Sequence, residues 1–315
     1  MKIAVTGANG LIGRELARRH LAAGDDVRVL VRDTGRVVEG LGGARLYEID
    51  MAASEGNLAG FLECIDVLYH CAAELRNPAR MTVVNVDGTR RLLQAAAGRI
   101  GRWVQVSTVA VYGRARAGVI TEDSPLAPAD AYARSKAMAD ALVADFSGKS
   151  GFEHVILRAC AVLGPGMPGS FLYRVIDLLD RGLFAPVGAP GALVSLIPVS
   201  SVAGALSACA TSPLAARRTY NLVEQCTVEH LVEVCCEALG RKPPRWRIPE
   251  GSLRAVAWLA ERLAPGKLTQ EQIDILTNRV RYDAQRAANE LRYNCVMNLD
   301  DAIRELAVEW RRLKK

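Results

Sequence analysis

A glycine-punctuated turn directly behind the first apolar run limits what this chain can become. In "IAVTGANGLIG", residues 3–13, Gly7, Gly10 and Gly13 stand three apart between a strand-like run and an amphipathic stretch. Glycine permits a tight turn and lets backbone amides approach a pyrophosphate at a helix N-terminus. Strand-to-helix turns also use glycine for structural reasons alone, so the motif draws its weight from context. That context is the first strand of a βαβ pattern, where dinucleotides bind.

Short apolar runs and helical stretches alternate through the first half. Strands are expected at Ile3–Val5, Val27–Val31, Arg45–Ile49, Val67–Cys71, Trp103–Val106 and His154–Leu157. Helices are expected at Leu11–Ala23, Thr82–Ala97 and Ala131–Phe146, with a shorter one near Glu55–Leu62. Apolar strands separated by helices imply an α/β fold, a doubly wound parallel sheet covered on both faces. Beyond about residue 164 the pattern changes to the loop-rich "LGPGMPG" and "LFAPVGAPG", and past Pro243 it is mostly helical. The expected division is a dinucleotide-binding domain over 1–163 and a smaller C-terminal substrate lobe over 164–315, some of whose segments return to the sheet. A chain of 315 residues has room for both.

The net charge of +6, from 40 basic and 34 acidic residues, is spread out and suits a small anionic ligand better than a nucleic acid. "RKPPRWR", Arg241–Arg247, reads as a solvated connector. Eight cysteines lack C-x-x-C spacing and only four histidines accompany them, so no metal site is expected and the thiols read as free and buried. "MKIAVTG" leaves no room for a signal peptide, and no apolar run reaches the ~20 residues of a membrane span. A soluble cytoplasmic protein is expected. "SLRAVAWLAERLA", Ser252–Ala264, is amphipathic at helical spacing; core packing is expected, while Trp258 and its flanking cations leave membrane contact open.

Two further features are chemical. "AYARSK" places Tyr132 and Lys136 one helical turn apart, on one face: a surface pair, or two groups directed into one cleft. "VLVRD" ends the second strand with Arg32 where a binder of the ribose 2′-hydroxyl would be acidic, so a 2′-phosphate and hence NADP is slightly favoured over NAD; Asp33 is the competing contact. Asp50, ending the third strand, suits either an adenine amino group or a turn cap.

The glycine loop, "YARSK" and "VQVSTVAVYG" together resemble the short-chain dehydrogenase/reductase family, in its extended branch of nucleotide-sugar epimerases, dehydratases and reductases. "VLYHCAA" at 67–73, "NVDGTRRLLQAA" at 85–96, "LRACAVLGPG" at 157–166, "YNLVE" at 220–224 and the terminal "AANELRYNCVMNLDDAIREL" fit the branch in order. The resemblance implies a Rossmann-type fold, with Tyr132 as proton donor or acceptor, Lys136 as its activator and Thr108 as the hydroxyl holding the reacting oxygen, Ser107 being its runner-up. It implies a cofactor site drawing on Gly7, Asn9, Gly10, Leu11, Ile12, Gly13, Arg32, Asp50, Met51, Ala72, Asn85, Val106, Tyr132, Lys136 and Ala159. His70 reads as a structural or cofactor-side imidazole, and Cys71 and Cys160 as inert buried thiols. Dehydratases of the branch carry Asp-Glu after the threonine; Val109 and Ala110 stand here, so dehydration is not expected. Ser200 and Ser201 in "IPVSSVAGA" replace the branch's acids, and Ala159 replaces a proline.

The chemistry is consistent with this. Hydride exchange with nicotinamide moves a proton at the same oxygen, and a phenol needs a nearby positive charge to serve near neutral pH. Thr108 would add a neutral hydrogen bond. The substrate class implied by the resemblance is a nucleotide-diphosphate sugar, reduced or epimerised at C4, with Arg174 and Arg218 meeting its pyrophosphate. A hydroxysteroid or other apolar ketone is the alternative, prompted by the apolar "LFAPVGAPGALVSLIP". A non-catalytic dinucleotide-binding protein is a third reading, and a homodimer is compatible with all of them.

Overall fold

Strands that are apolar on both faces need helices above and below, and the chain supplies them in alternation. The computed structural model describes residues 1–36, 39–53, 56–115, 117–166, 171–263, 269–292 and 297–314. Its first half runs β1 (Lys2–Thr6), α1 (Leu11–Ala22), β2 (Asp26–Val31), β3 (Arg45–Glu48), α2 (Leu58–Leu62), β4 (Ile65–His70) and α3 (Pro78–Met81). A π-helical segment (Thr82–Asp87) then leads into α4 (Gly88–Ala96), followed by β5 (Ile100–Thr108), β6 (Ala117–Ile120), α5 (Ala131–Ser150) and β7 (Glu153–Ala159). The second half holds β8 (Ala161–Leu163), α6 (Phe171–Asp180), β9 (Leu193–Pro198), α7 (Val199–Thr211), β10 (Arg218–Leu222) and β11 (Glu224–Thr227). It closes with α8 (Val228–Leu239), α9 (Glu250–Leu263), α10 (Gln270–Thr277), β12 (Arg279–Tyr282), α11 (Gln285–Leu291) and α12 (Leu299–Leu313).

Seven of these strands form one sheet in the order β10-β7-β5-β4-β1-β2-β3, every pairing parallel. The order reverses between β1 and β4, the switch point where a crevice opens beyond the strand ends. This is the doubly wound, Rossmann-type α/β fold. Central strands carry Ile3, Val5, Val67, Tyr69 and Val104 fully or nearly fully buried, whereas the edge strand β3 reads Arg-Leu-Tyr-Glu and is mostly exposed. One face packs against α1, α7 and α11, the other against α2, α4 and α5. A separate core gathers α6, α8, α9, α10 and α12 over the three-stranded β11-β9-β8 sheet. Residues 199–222 and 285–291, from the second half of the chain, return to the main sheet.

Two expectations need correcting here. The helix read over Thr82–Ala97 begins as a π-helix, a local widening that the apolar spacing of "TVVNVD" does not reveal. The apolar run at 183–198 is mostly core and not a substrate wall: Phe184, Ala185, Val187, Ala192, Val194, Leu196 and Ile197 are buried, and Leu183 alone of its large residues is exposed. Glu55, residues 167–169 of "LGPGMPG", Ala264, and residues 293–296 of the closing segment with Cys295 lie outside the described residues.

Candidate functional site

The turn after β1 shows why two of its glycines are needed. Gly7 has φ +70°, and a Cβ there would meet the Ala72 backbone nitrogen at 2.7 Å. A Cβ on Gly13 would meet the Gly7 carbonyl oxygen at 2.4 Å, so α1 seats against the turn only when residue 13 lacks a side chain. Gly10 is the N-cap of α1 and brings no side-chain cap, and no acidic residue lies in the first turn. The leading N–H groups of α1, beginning at Leu11 and Ile12, are thus left to an external acceptor, which fits a pyrophosphate. Asn9 beside them donates to the Arg36 carbonyl at 3.2 Å.

The switch point is held by a buried triad. Thr6 Oγ1 lies 2.7 Å from His70 Nδ1, His70 Nε2 lies 2.9 Å from Thr89 Oγ1, and the Ala72 N–H donates to Thr6 Oγ1 at 3.2 Å. Burial lowers the His70 pKa from 6.5 to about 3, first by desolvation and then by the charge of Lys136. A neutral, doubly hydrogen-bonded ring is a structural part. Its folded pKa is depressed, so protonation favours the unfolded chain: this group's contribution is intact above pH 6.5 and is lost as pH falls from 6.5 towards 3. The expected cost is about 1.4 kcal/mol per pH unit. Urea unfolding at stepped pH checks it, and the slope should flatten in His70→Gln.

Helix α5 opens on Asp130, whose carboxylate accepts from the Ala133 N–H, and ends at Gly151 in the left-handed conformation. Tyr132, Lys136 and Asp140 follow at four-residue steps on one face. Lys136 is 4 % exposed and donates to the Val106 carbonyl at 2.6 Å, pinning α5 to the end of β5. Desolvation lowers its pKa, against the charges of Asp140 and Cys71. Tyr132 is half-buried and its hydroxyl has no hydrogen-bond partner among the described residues. Burial, with Asp140 and Asp130 acting in the same direction, pushes its pKa up to about 12. Lys136 and the positive charge of oxidised nicotinamide are together expected to favour the phenolate; within the protein itself desolvation is the largest influence on Tyr132 and acts the other way.

The end of β5 separates the two hydroxyl candidates. Ser107 faces inward and donates to Asp140 Oδ2 at 2.7 Å. Thr108 Oγ1 accepts from the Ala110 N–H at 3.2 Å, so its own proton remains available to donate. Asn85, in the π-helical segment, accepts from the Glu74 N–H at 2.7 Å and donates to the Glu74 carbonyl and to Ser135 Oγ, fastening the loop after β4 to α5.

Sequence reasoning missed the support beneath these residues. Arg158 Nε lies 3.5 Å from Asp140 Oδ2, its Nη1 donates to the Tyr112 hydroxyl at 2.9 Å, and that hydroxyl donates to Asn221 at 2.8 Å. The four-residue step from Lys136 to Asp140 was the available signal.

Gly7 to Gly13, Arg32, Asp50, Met51, Ala72, Val106, Thr108 and Ala159 all lie at or just beyond the carboxyl ends of the parallel strands. Asp50 closes its own turn, accepting from the Ala52 N–H at 2.9 Å, and Met51 is buried. Arg32 is exposed, with no hydrogen bond or ion pair among the described residues; Asp33, its competitor, accepts from the Gly35 N–H and pairs with Arg36 at 3.1 Å. Arg174 is exposed on α6. Arg218 is brought together with none of them: it opens β10 at the amino end of the sheet and faces Glu290 at 3.7 Å. Burial pushes the Cys71 and Cys160 thiols up to about 12, leaving them unreactive. Among the described residues no cluster could hold a metal ion, and no helix is long and apolar enough to cross a membrane.

A family model described as the NAD dependent epimerase/dehydratase family matches residues 3–222. The chain is 29 % identical to sterol demethylase protein B of Methylococcus capsulatus, over 92 % of this chain and 93 % of that one. It is 31 % identical to the 4-hydroxy-2-methyl-3-oxo-4-farnesyl-3,4-dihydroquinoline-1-oxide ketoreductase of Stigmatella aurantiaca, over 93 % and 92 %. Among solved structures, UDP-glucuronic acid 4-epimerase from Bacillus cereus, crystallised with NAD, superposes with a TM-score of 0.78 at 20 % identity over the full length of both chains.

Proposed function

The chain belongs to the NAD-dependent epimerase/dehydratase family, and on that premise we propose that it is a nicotinamide-dependent oxidoreductase interconverting a ketone and a secondary alcohol. The observation that carries this reading is Tyr132, a phenol on the same helical face as Lys136, which is anchored at the end of β5. A bound nicotinamide dinucleotide would supply or accept the hydride. The α1 N-terminus would hold its pyrophosphate and Lys136 its ribose. Tyr132 passes its hydroxyl proton to the ketone oxygen as that oxygen gains charge, and takes it back in the reverse direction. Thr108 donates a hydrogen bond to the same oxygen.

The substrate class we infer is a bulky apolar ketone. Two relatives that align over more than nine-tenths of both chains carry names that mention a sterol and a farnesylated quinoline oxide. Leu75, next to the Glu74 that Asn85 pins, exposes 62 % of its surface. A nucleotide-diphosphate sugar turned over at C4 is the second reading; exposed Arg174 speaks for it, whereas Arg218 stands at the wrong end of the sheet. Val109 and Ala110 after Thr108 leave no acid and base for dehydration.

The test is NADPH and NADH consumption by the purified protein against sterol and prenylated-quinoline ketones and a nucleotide 4-keto sugar. Turnover of the apolar ketones alone supports the first substrate class, and turnover of the sugar alone replaces it with the second. A protein that retains dinucleotide, reduces neither, and does not interconvert a nucleotide hexose with its C4 epimer would be a binding protein. Arg32→Ala is expected to raise the KM for NADPH roughly 10- to 100-fold, the size of a lost charge-assisted phosphate contact, while leaving NADH kinetics unchanged. An equal effect on both would remove the preference for NADP.

A further inference from the structure

Helix α9 seats Leu253 and Ala257 on the second core and pairs Glu250 with Arg254, while Val256, Trp258 and Leu259 are exposed. Arg254 bonds Glu250 at 2.8 Å and reaches Asp274 on α10 at 2.9 Å, and Ala257 between them is buried. Among the described side chains, the opposite face carries Gly251, Ser252, Ala255, Val256, Trp258 and Leu259, all exposed and themselves uncharged. Val256, Trp258 and Leu259 are 57 %, 55 % and 51 % exposed. The expected core packing holds for Leu253 and Ala257, and Val256, Trp258 and Leu259 are left on the outside.

The segment entering α9 continues the pattern. Trp246 is 58 % exposed. Arg241 and Arg247 are committed to Asp180 and Glu229, but Lys242 and Arg245 have no ion-pair partner among the described residues. Indole rings favour the headgroup level of a bilayer, and unpaired cations beside an apolar helix face favour anionic lipid. A second copy of the chain fits less well, because a two-fold contact through this patch would bring Lys242 and Arg245 towards their own copies.

We propose that the outer face of α9, with the Lys242–Trp246 segment, docks the protein in the plane of an anionic phospholipid surface. The helix lies on the bilayer without crossing it. The surface stands apart from the Tyr132 site and does not depend on the substrate class.

Vesicle co-sedimentation of the full chain tests this, comparing phosphatidylcholine alone with phosphatidylcholine containing roughly one-third phosphatidylglycerol. Partitioning is expected to be on the order of 10-fold or more stronger on the anionic vesicles and to fall at high salt. Val256→Ser/Leu259→Ser and, separately, Lys242→Glu/Arg245→Glu should each weaken it by on the order of 10-fold, with dinucleotide affinity and thermal melting unchanged. A wild-type protein that stays in the supernatant with anionic vesicles overturns the proposal. So does a wild-type dimer in sedimentation equilibrium that Val256→Ser/Leu259→Ser converts to a monomer without any vesicle binding, since the patch is then a self-contact.

Discussion

Tyr132→Phe should lower turnover by about 10²- to 10⁴-fold, the contribution of a positioned proton donor, while leaving dinucleotide affinity within a factor of about two. The substitution removes one oxygen from a half-buried ring that takes no hydrogen bond from its surroundings. The fold therefore loses nothing at that position, and the catalytic loss can be read without correction for stability. Steady-state kcat and calorimetric titration with NADPH separate the two quantities. Retained turnover would remove Tyr132 from the mechanism; lost dinucleotide binding would make the phenol part of the cofactor seat.

The second large effect concerns the backbone. Gly13→Ala places a methyl 2.4 Å from the Gly7 carbonyl oxygen and 2.8 Å from its carbon, both main-chain atoms with no rotamer to yield. The helix must move off the turn or the turn must distort, at an expected cost of about 2–4 kcal/mol and with loss of dinucleotide binding. Gly148→Ala is the matched control. It lies within α5 with open space where its Cβ would go, so the same chemical change is expected to stabilise by about 0.5–1 kcal/mol. Urea midpoints of the two variants, read against NADPH titration, check the contrast. Equal behaviour would mean that the turn is more pliable than its geometry implies.

The doubly wound sheet and its glycine turn were legible because each rests on short-range rules. Runs such as Ile3–Val5 and Val67–Leu68 are apolar on both faces, and Gly7 sits where only glycine fits. Tyr132 and Lys136 were legible through the helical repeat, and Asp140 would have been had the same step been taken once more. What could not be read depends on long-range placement. Arg218 looks like any cation beside a strand until the parallel pairing of β10 with β7 fixes which end of the sheet it occupies. The apolar run at 183–198 has the composition of a pocket wall, and only the second core shows that its residues are already spent. The raised pKa of Tyr132 was missed for a related reason: desolvation grows with everything packed around a group, whereas a spacing argument sees only its neighbour on the helix.

Strand β10 has a consequence for how the molecule comes into being. It covers β7, the strand that carries Arg158 and Ala159, and its Tyr220 hydroxyl donates to Glu290 at 2.7 Å on α11. A nascent chain that has emerged only as far as β7 already contains every residue assigned to proton transfer, yet it exposes an unpaired strand margin open to association with other chains. Chaperone dependence during synthesis should therefore persist until β10, Arg218–Leu222, has left the ribosome, and a fragment cut at the apparent domain boundary should be insoluble despite carrying the full proton-transfer set.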